Sequence, residues 1–140
     1  MSIPFPLPDR LVEEAVARAL AEDLGAAGDI TTLACIREQA QARASLSSRK
    51  PGVIAGVACA LAAFRLVDPR INVDVVLDDG ARVAKGDCVL RIEGSARGVL
   101  SAERVALNFL GRLSGIATAT AAMVDAVAGT GARIACTRKT

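Results

Sequence analysis

The last five residues of the chain, CTRKT at 136–140, combine two adjacent cations with two threonine hydroxyls. They follow a short, mostly apolar run, and residues 133–136 are predicted to form a strand. Two fixed cations at the mouth of a strand can hold carboxylates and phosphates through charge-assisted hydrogen bonds. Adjacent cations are also common in solvated loops, so this segment alone leaves both interpretations open.

A second set of candidate residues lies on one predicted helix, at 101–113. On a helical wheel, Arg104, Asn108 and Arg112 fall within one narrow polar stripe, while apolar side chains fill most of the remaining circumference. The helix is therefore predicted to be largely buried. The stripe is either its solvent face or a cationic ridge that meets an anionic ligand or a partner subunit, a role that suits arginine because its fork matches a carboxylate.

The composition excludes several functional classes. The chain has 140 residues, of which 52% are hydrophobic, so one domain, or one domain and the start of another, can form a core. Histidine is absent, which excludes Ser-His and Cys-His nucleophile arrangements. The net charge is only +2 and the aromatic residues are three phenylalanines, so a nucleic-acid partner is not expected.

The cysteines and the hydropathy pattern favour a cytoplasmic protein. The four cysteines form no CxxC pair, so neither a zinc site nor a disulfide framework is expected, and they are interpreted as reduced, buried thiols. The longest apolar stretch, at 52–64, is shorter than the roughly 20 residues of a membrane-spanning helix. The first residues lack the pattern of a signal peptide.

Periodicity and breaker residues predict an α+β fold with short strands joined by glycine turns. One helix is predicted between a cap at Asp9 and Gly25, and Asp29 is expected to cap the next turn. Further helices are predicted at 56–67, at 101–113 after a Ser101 cap, and from an interruption at residues 114–115 to 127. Strands are predicted at 43–49, 71–77, 88–93 and 133–136.

Four segments occur in an order that resembles a known family. They are EDLG at 22–25, GDITT at 28–32, SAERVALNFLGRLSGIAT at 101–118 and TRKT at 137–140. Together they resemble quinolinate phosphoribosyltransferase, also called nicotinate-nucleotide pyrophosphorylase (carboxylating). Each segment alone would be weak evidence, but the four span nearly the whole chain.

The resemblance implies a fold and a division of the chain. Residues 1–114 would form an N-terminal α/β sandwich, in which packed helices cover a small open antiparallel sheet. Residues 115–140 would form a helix and the first strand of a truncated α/β barrel. The resemblance also implies an enzyme of NAD biosynthesis that converts quinolinate and phosphoribosyl pyrophosphate into nicotinate mononucleotide, pyrophosphate and carbon dioxide.

The same resemblance implies roles for individual residues. Arg104 would bind the quinolinate carboxylates in the neighbouring subunit of a homodimer. Thr137, Arg138 and Lys139 would line the substrate pocket, with Lys139 as the catalytic residue. Magnesium is the implied cofactor, and its ligands are expected beyond residue 140. The 140-residue chain alone is therefore expected to show no turnover.

Two alternatives and one departure from the family pattern stay open. Cys136 stands where the family usually has an acidic residue, which leaves the fine substrate choice open. A paralogue of the same family, associated with molybdenum transport, shares the fold. Residues 79–90 also resemble the Gly-x-x-Val-x-x-Gly-Asp pattern of biotinyl and lipoyl carriers, but no lysine lies in the context that a carrier needs; Lys50 precedes a proline instead.

Overall fold

The computed structural model describes residues 7–137. Four helices and five strands occur in this part of the chain. In chain order they are α1 (Asp9–Leu24), α2 (Ile30–Cys35), β1 (Gln41–Ser47), β2 (Gly52–Val53), α3 (Val57–Val67), β3 (Asn72–Val75), β4 (Arg82–Val83), β5 (Cys88–Ser95) and α4 (Ala96–Ala126).

The strands form two antiparallel sheets. The larger sheet has the order β1-β5-β3, with β5 at its centre, and the smaller ribbon pairs β2 with β4. Leu46 lies opposite Leu90, and Val73 lies opposite Ile92. These apolar pairs share one face, and alternate residues place charged side chains on the other face, as a half-buried sheet requires.

Helices α3 and α4 pack against the sheet, and α1 packs against α3 and α4. The most deeply buried large side chains are Val16 of α1, Phe64 of α3, and Val89 and Leu90 of β5. The contact of α3 with α4 is lined by small residues, since Ala60, Ala62, Ala63, Ala102 and Ala106 are all buried. Small side chains allow two helices to approach closely, so these alanines let α3 and α4 pack tightly against each other. The predicted α+β class is confirmed.

The prediction of two helices separated at residues 114–115 was wrong. One helix, α4, runs from 96 to 126, and Ser95 caps its start by accepting a hydrogen bond from the amide of Gly98. Ser101 is not the cap, because it lies in the second turn of this helix. Glycine inside a helix costs only about 1 kcal/mol, which the packing of a 31-residue helix outweighs. At the start of α1, likewise, Asp9 is the first helical residue and Pro8 is the cap.

The strand predicted at 133–136 is also not formed. Residues 132–137 are neither helix nor strand, and they are exposed. A strand needs a hydrogen-bonded neighbour, and in the described part of the chain these residues pair with no strand. The division into residues 1–114 and 115–140 stays a prediction. Within residues 7–137, no helix is both long and apolar enough to cross a membrane.

Candidate functional site

Helix α4 places the predicted polar stripe on the surface of the chain. Arg104, Asn108 and Arg112 are exposed, whereas Val105 and Leu110 on the opposite side are buried. The helix is less buried than its pattern predicted, because Leu107 is 46% exposed. The exposed face of α4 therefore combines two arginines, an amide and a large apolar side chain.

Among residues 7–137, Arg104 makes one ion pair, with a residue that lies 81 positions earlier in the chain. Its Nη1 donates a hydrogen bond to Oδ1 of Asp23 over 2.9 Å. The arginine side chain is 73% exposed, while that of Asp23 is only 18% exposed. Asp23 is the next-to-last residue of α1, so this contact ties the end of α1 to the exposed face of α4.

Asp29 forms a second polar contact beside this pair. As predicted, it caps α2, because its Oδ1 accepts a hydrogen bond from the amide of Thr32 over 3.0 Å. Its Oδ2 accepts one from the hydroxyl of Ser101 over 3.2 Å. The hydrogen bonds from Thr32, helped by Ser101 and by the positive charge of Arg104, hold the pKa of Asp29 below its ordinary value. Asp29 therefore stays ionised to a lower pH than an ordinary aspartate does.

The segment that follows these acids is fixed to α4 at a further point. Arg97, in the first turn of α4, donates from Nε to the carbonyl oxygen of Ile36 over 2.8 Å, just beyond the end of α2. It also donates from Nη2 to the carbonyl oxygen of Leu33 over 3.3 Å. A cation at the C-terminus of a helix satisfies carbonyl groups that have no partner within the helix.

The predicted substrate residues at the end of the chain are only partly placed. Thr137 is exposed and lies in the irregular segment after α4, and its neighbour Cys136 is exposed as well. Arg138 and Lys139 lie outside the described residues. The structure therefore does not test whether these three substrate residues approach Arg104, and their roles stay predictions.

The cysteines are less buried than expected. Cys59 is buried and Cys88 half-buried, but Cys35 and Cys136 are exposed. Burial raises the pKa of the Cys59 thiol, and the charge of Asp79 adds to this effect. An inert buried thiol of this kind is suited to packing.

Sequence reasoning missed the partner of Arg104. The sequence analysis assigned no partner to Asp23, although a signal was available. Glu22 and Asp23 lie in the last turn of α1, where the helix dipole disfavours negative charge and no basic residue accompanies them. An acid in such a place calls for a cation from another element.

The fold and these contacts can be compared with known proteins. The family profile described as "Quinolinate phosphoribosyl transferase, N-terminal domain" matches residues 29–114. The chain belongs to the quinolinate phosphoribosyl transferase family. This finding confirms the resemblance drawn from the four segments. The matched region includes residues 79–90, whose glycine-turn pattern also resembles carrier domains.

Curated members of the family share much of the sequence. Nicotinate-nucleotide pyrophosphorylase [carboxylating] of Mycobacterium leprae is 45% identical over 132 residues, which cover 91% of this chain and 45% of the relative. The chloroplastic enzyme of the same name from Oryza sativa subsp. japonica is 45% identical over 108 residues, or 77% of this chain and 29% of the relative. The chain thus spans less than half the length of these family members.

Solved structures of the family have the same fold. NadC from Streptococcus pyogenes superposes with a TM-score of 0.83 at 39% identity, over 88% of this chain and 44% of that one. The nicotinate-nucleotide pyrophosphorylase from Ehrlichia chaffeensis superposes with a TM-score of 0.79 at 31% identity, over 92% of this chain and 44% of that one. The predicted arrangement of helices on small antiparallel sheets is therefore that of the quinolinate phosphoribosyl transferase family.

Proposed function

We propose that this chain supplies the N-terminal domain of an enzyme that joins quinolinate to phosphoribosyl pyrophosphate. The products are nicotinate mononucleotide, pyrophosphate and carbon dioxide, and the pathway is NAD biosynthesis. The observation that carries the proposal is the family match over residues 29–114, together with 45% identity to the Mycobacterium leprae relative that bears this activity in its name.

The exposed position of Arg104 supports a role across a subunit boundary. Quinolinate carries two adjacent carboxylates, and a guanidinium can bind a carboxylate through two parallel hydrogen bonds. The Arg104 side chain projects from the surface, 73% exposed, and is anchored on one side by Asp23. We therefore propose a homodimer in which Arg104 of one subunit binds the quinolinate in the site of the other.

The remaining substrate contacts are assigned to the end of the chain. In the proposal, Thr137, Arg138 and Lys139 line the pocket, and the two cations hold the anionic groups of both substrates. Lys139 is the proposed catalytic residue, stabilising the leaving pyrophosphate while the ring nitrogen of quinolinate attacks the sugar. Decarboxylation follows because the ring nitrogen has become cationic and stabilises the electron pair left on the adjacent carbon.

Magnesium belongs to the proposal as a cofactor held elsewhere. Residues 7–137 contain no group of three or more acidic, histidine or cysteine side chains that could hold a metal ion. These residues therefore do not fit a resident magnesium site by themselves, and its ligands are proposed to lie outside them. When bound, magnesium neutralises negative charge on the diphosphate of the co-substrate.

A cytoplasmic location is proposed on chemical grounds. Cys35, Cys59 and Cys88 are free thiols, which are typical of a reducing compartment. Relatives from Oryza sativa and Arabidopsis thaliana are named as chloroplastic, so the family is not confined to one compartment. Cell fractionation with an antibody to this chain would locate the protein.

The activity can be measured directly on two forms of the protein. The first is the product of the complete reading frame that contains these 140 residues, and the second is the 140-residue chain alone. We expect the first to form nicotinate mononucleotide from quinolinate and phosphoribosyl pyrophosphate with magnesium, and the second to show no turnover. A complete product that binds neither substrate would contradict the proposal and favour the molybdenum-associated paralogue.

In the complete product, Arg104→Gln should lower kcat/KM for quinolinate by roughly ten- to a hundredfold, because one charged hydrogen-bonding arm of the site is lost. Steady-state kinetics would measure this loss. Arg91→Gln is the matched control, since Arg91 is exposed on the outer face of the sheet and pairs only weakly, at 3.4 Å, with Asp74. Equal effects of the two substitutions would contradict a substrate contact by Arg104.

A further inference from the structure

The pair between Asp23 and Arg104 is asymmetric in its burial. Asp23 is mostly enclosed, with 18% of its side chain exposed, whereas 73% of the Arg104 side chain is exposed. Ion pairs this open to solvent contribute little to stability. Asp23, the enclosed partner, is therefore the fixed group, and the contact restricts the position of the exposed Arg104 side chain.

Within helix α1, Asp23 occupies an unfavourable position. The last turn of α1 carries Glu22 and Asp23 and no basic residue. The C-terminal end of a helix has partial negative charge, so an acid there is unfavourable unless a cation from elsewhere faces it. Residues that conflict with local preferences are often retained for function. The sequence of α1 thus indicates that Asp23 serves a residue outside its own helix.

Arg104 keeps most of its hydrogen-bonding capacity while it contacts Asp23. A guanidinium has five N–H donors, and only Nη1 is used, in a single bond of 2.9 Å. Among the described residues, Asp23 is its one hydrogen-bond partner. The other donors can meet an acceptor that arrives from outside the chain, while the anchored edge limits the rotamers of a long side chain.

A neighbouring contact fixes the position of Arg104 relative to Asp23. Ser101 precedes Arg104 by three residues, which places both on one face of α4. The hydroxyl of Ser101 donates to Oδ2 of Asp29 over 3.2 Å, and Oδ1 of Asp29 caps α2 through Thr32. This turn of α4 is thus fixed against the segment that follows α1, and the distance from Asp23 to Arg104 is fixed with it.

We propose that Asp23 is a positioning residue for Arg104, holding one edge of its guanidinium so that the free donors point toward a substrate carboxylate. This inference rests on the function proposed above, because it assumes that Arg104 binds quinolinate. In the alternative arrangement, Asp23 would occupy Arg104 in the free enzyme until the substrate displaced it. Displacement is not required, because Arg104 has more donors than Asp23 occupies.

The experiment uses the complete reading-frame product and varies quinolinate and phosphoribosyl pyrophosphate separately. Asp23→Asn should raise the KM for quinolinate about fivefold, while kcat and the KM for phosphoribosyl pyrophosphate change by less than about twofold. Asp23→Glu keeps the carboxylate and should stay within about twofold of wild type. Glu13→Gln is the matched control, because Glu13 lies on the same helix and pairs with another arginine, Arg65.

Each outcome decides the inference. A lower KM in Asp23→Asn would show that Asp23 competes with the substrate, and an unchanged KM would show that it does not position Arg104. Circular dichroism would show whether Asp23→Asn is unfolded. An unfolded Asp23→Asn, or a rise in the KM for quinolinate in Glu13→Gln equal to that in Asp23→Asn, would assign only a structural role. Each of these results overturns the inference while leaving the proposed function intact. No turnover by the wild-type enzyme would instead refute the proposed function, and the inference with it.

Discussion

At the scale of single residues, Asp29 shows how one carboxylate links two helices, α2 and α4. It caps α2 through Thr32, accepts a hydrogen bond from Ser101 of α4, and lies within the electrostatic influence of Arg104. All of these contacts favour the ionised form, so they lower its pKa. A group whose pKa is lower in the folded state stabilises the fold above its unfolded pKa, and this contribution is lost as pH falls through the folded pKa.

Asp29→Ala should therefore lower the free energy of unfolding at pH 7 by about 1 kcal/mol, the usual contribution of a helix cap. Asp29→Asn keeps a capping oxygen and should lose less at pH 7. Both variants should lose less stability than wild type when the pH is lowered from neutral to below about 4, near the ordinary pKa of aspartate. Urea unfolding at several pH values measures this difference.

Asp74→Asn serves as the control for the acid titration, because Asp74 is exposed and has only a long contact with Arg91. If Asp29→Ala were as stable as wild type at pH 7 and equally sensitive to acid, Asp29 would not be the cap that links α2 to α4.

The residue scale also shows where sequence reasoning succeeds. The cap at Asp29 could be predicted because its partner, Thr32, lies three residues away. The partnership of Asp23 with Arg104 could not, because 81 residues separate the two and only the packing of α1 against α4 brings them together. Local rules describe contacts within a turn; at Asp23 they indicate that a cation is needed, but they do not identify which residue of another element supplies it.

At the scale of elements, the second half of α4 is joined by hydroxyl groups to β2 and to Ala55 just beyond it. The hydroxyl oxygen of Ser114 accepts from the amide of Ala55 over 3.0 Å, and that of Thr118 accepts from the amide of Val53 over 2.9 Å. One edge of β2 pairs with β4, so these hydroxyls satisfy amides on the other edge. Glycine at position 52 permits this approach, because an added Cβ would lie 2.6 Å from Oγ1 of Thr118.

Gly56 gives a direct test of how closely α4 packs against the start of α3. Its φ is +98°, and an added Cβ would lie 2.8 Å from Cδ1 of Leu113. Gly56→Ala should cost about 1–3 kcal/mol for the left-handed backbone, and a further 1–3 kcal/mol or so for overpacking. Gly80→Ala is the matched control, because Gly80 has a φ of +88° with nothing near its Cβ position.

Chemical denaturation of the two glycine variants separates these costs. Gly80→Ala reports the backbone strain, and the excess loss in Gly56→Ala reports the packing of α4. Equal losses in the two variants would mean that α4 can move away from Gly56 at little cost, contrary to the close packing described here.

Element-scale predictions failed where long-range contacts outweigh local preference. Residues 114–115 look like a helix break, yet the hydroxyl of Ser114 binds the backbone of Ala55, two residues beyond β2, while the helix continues. The apolar residues near 134 look like a strand, yet no neighbouring strand pairs with them in the described part of the chain. The helix at 56–67 and the strand at 43–49 were located to within about two residues because their patterns agree with their burial.

At the scale of the whole molecule, the exposed surface of α4 is the feature that calls for a partner. Leu100 and Leu107 are exposed on the side of Arg104, and Ile116, Met123 and Val124 are exposed in the second half of the helix. Exposed apolar surface of this kind often marks an interface. The chain spans 45% of the Mycobacterium leprae relative. Under the proposed function, we expect a second subunit to cover part of this surface.

The residues of the proposed site could be predicted from the sequence only in part. The family segments pointed to Arg104 and to residues 137–139, and the fold shows Arg104 exposed beside Asp23. The proposed approach of Thr137, Arg138 and Lys139 to Arg104 of another subunit would depend on quaternary structure. No pattern within one chain encodes the distance between two copies of it.

Mixed dimers test the central claim, that Arg104 acts in the neighbouring subunit's site, most directly. Complete enzymes carrying Arg104→Ala or Lys139→Ala are unfolded and refolded together in equal amounts, and nicotinate mononucleotide formation is measured. Half of the dimers should be mixed, and each mixed dimer has one site with both residues intact, so about a quarter of wild-type activity should return. Activity no higher than the sum of the two variants refolded separately would contradict the account.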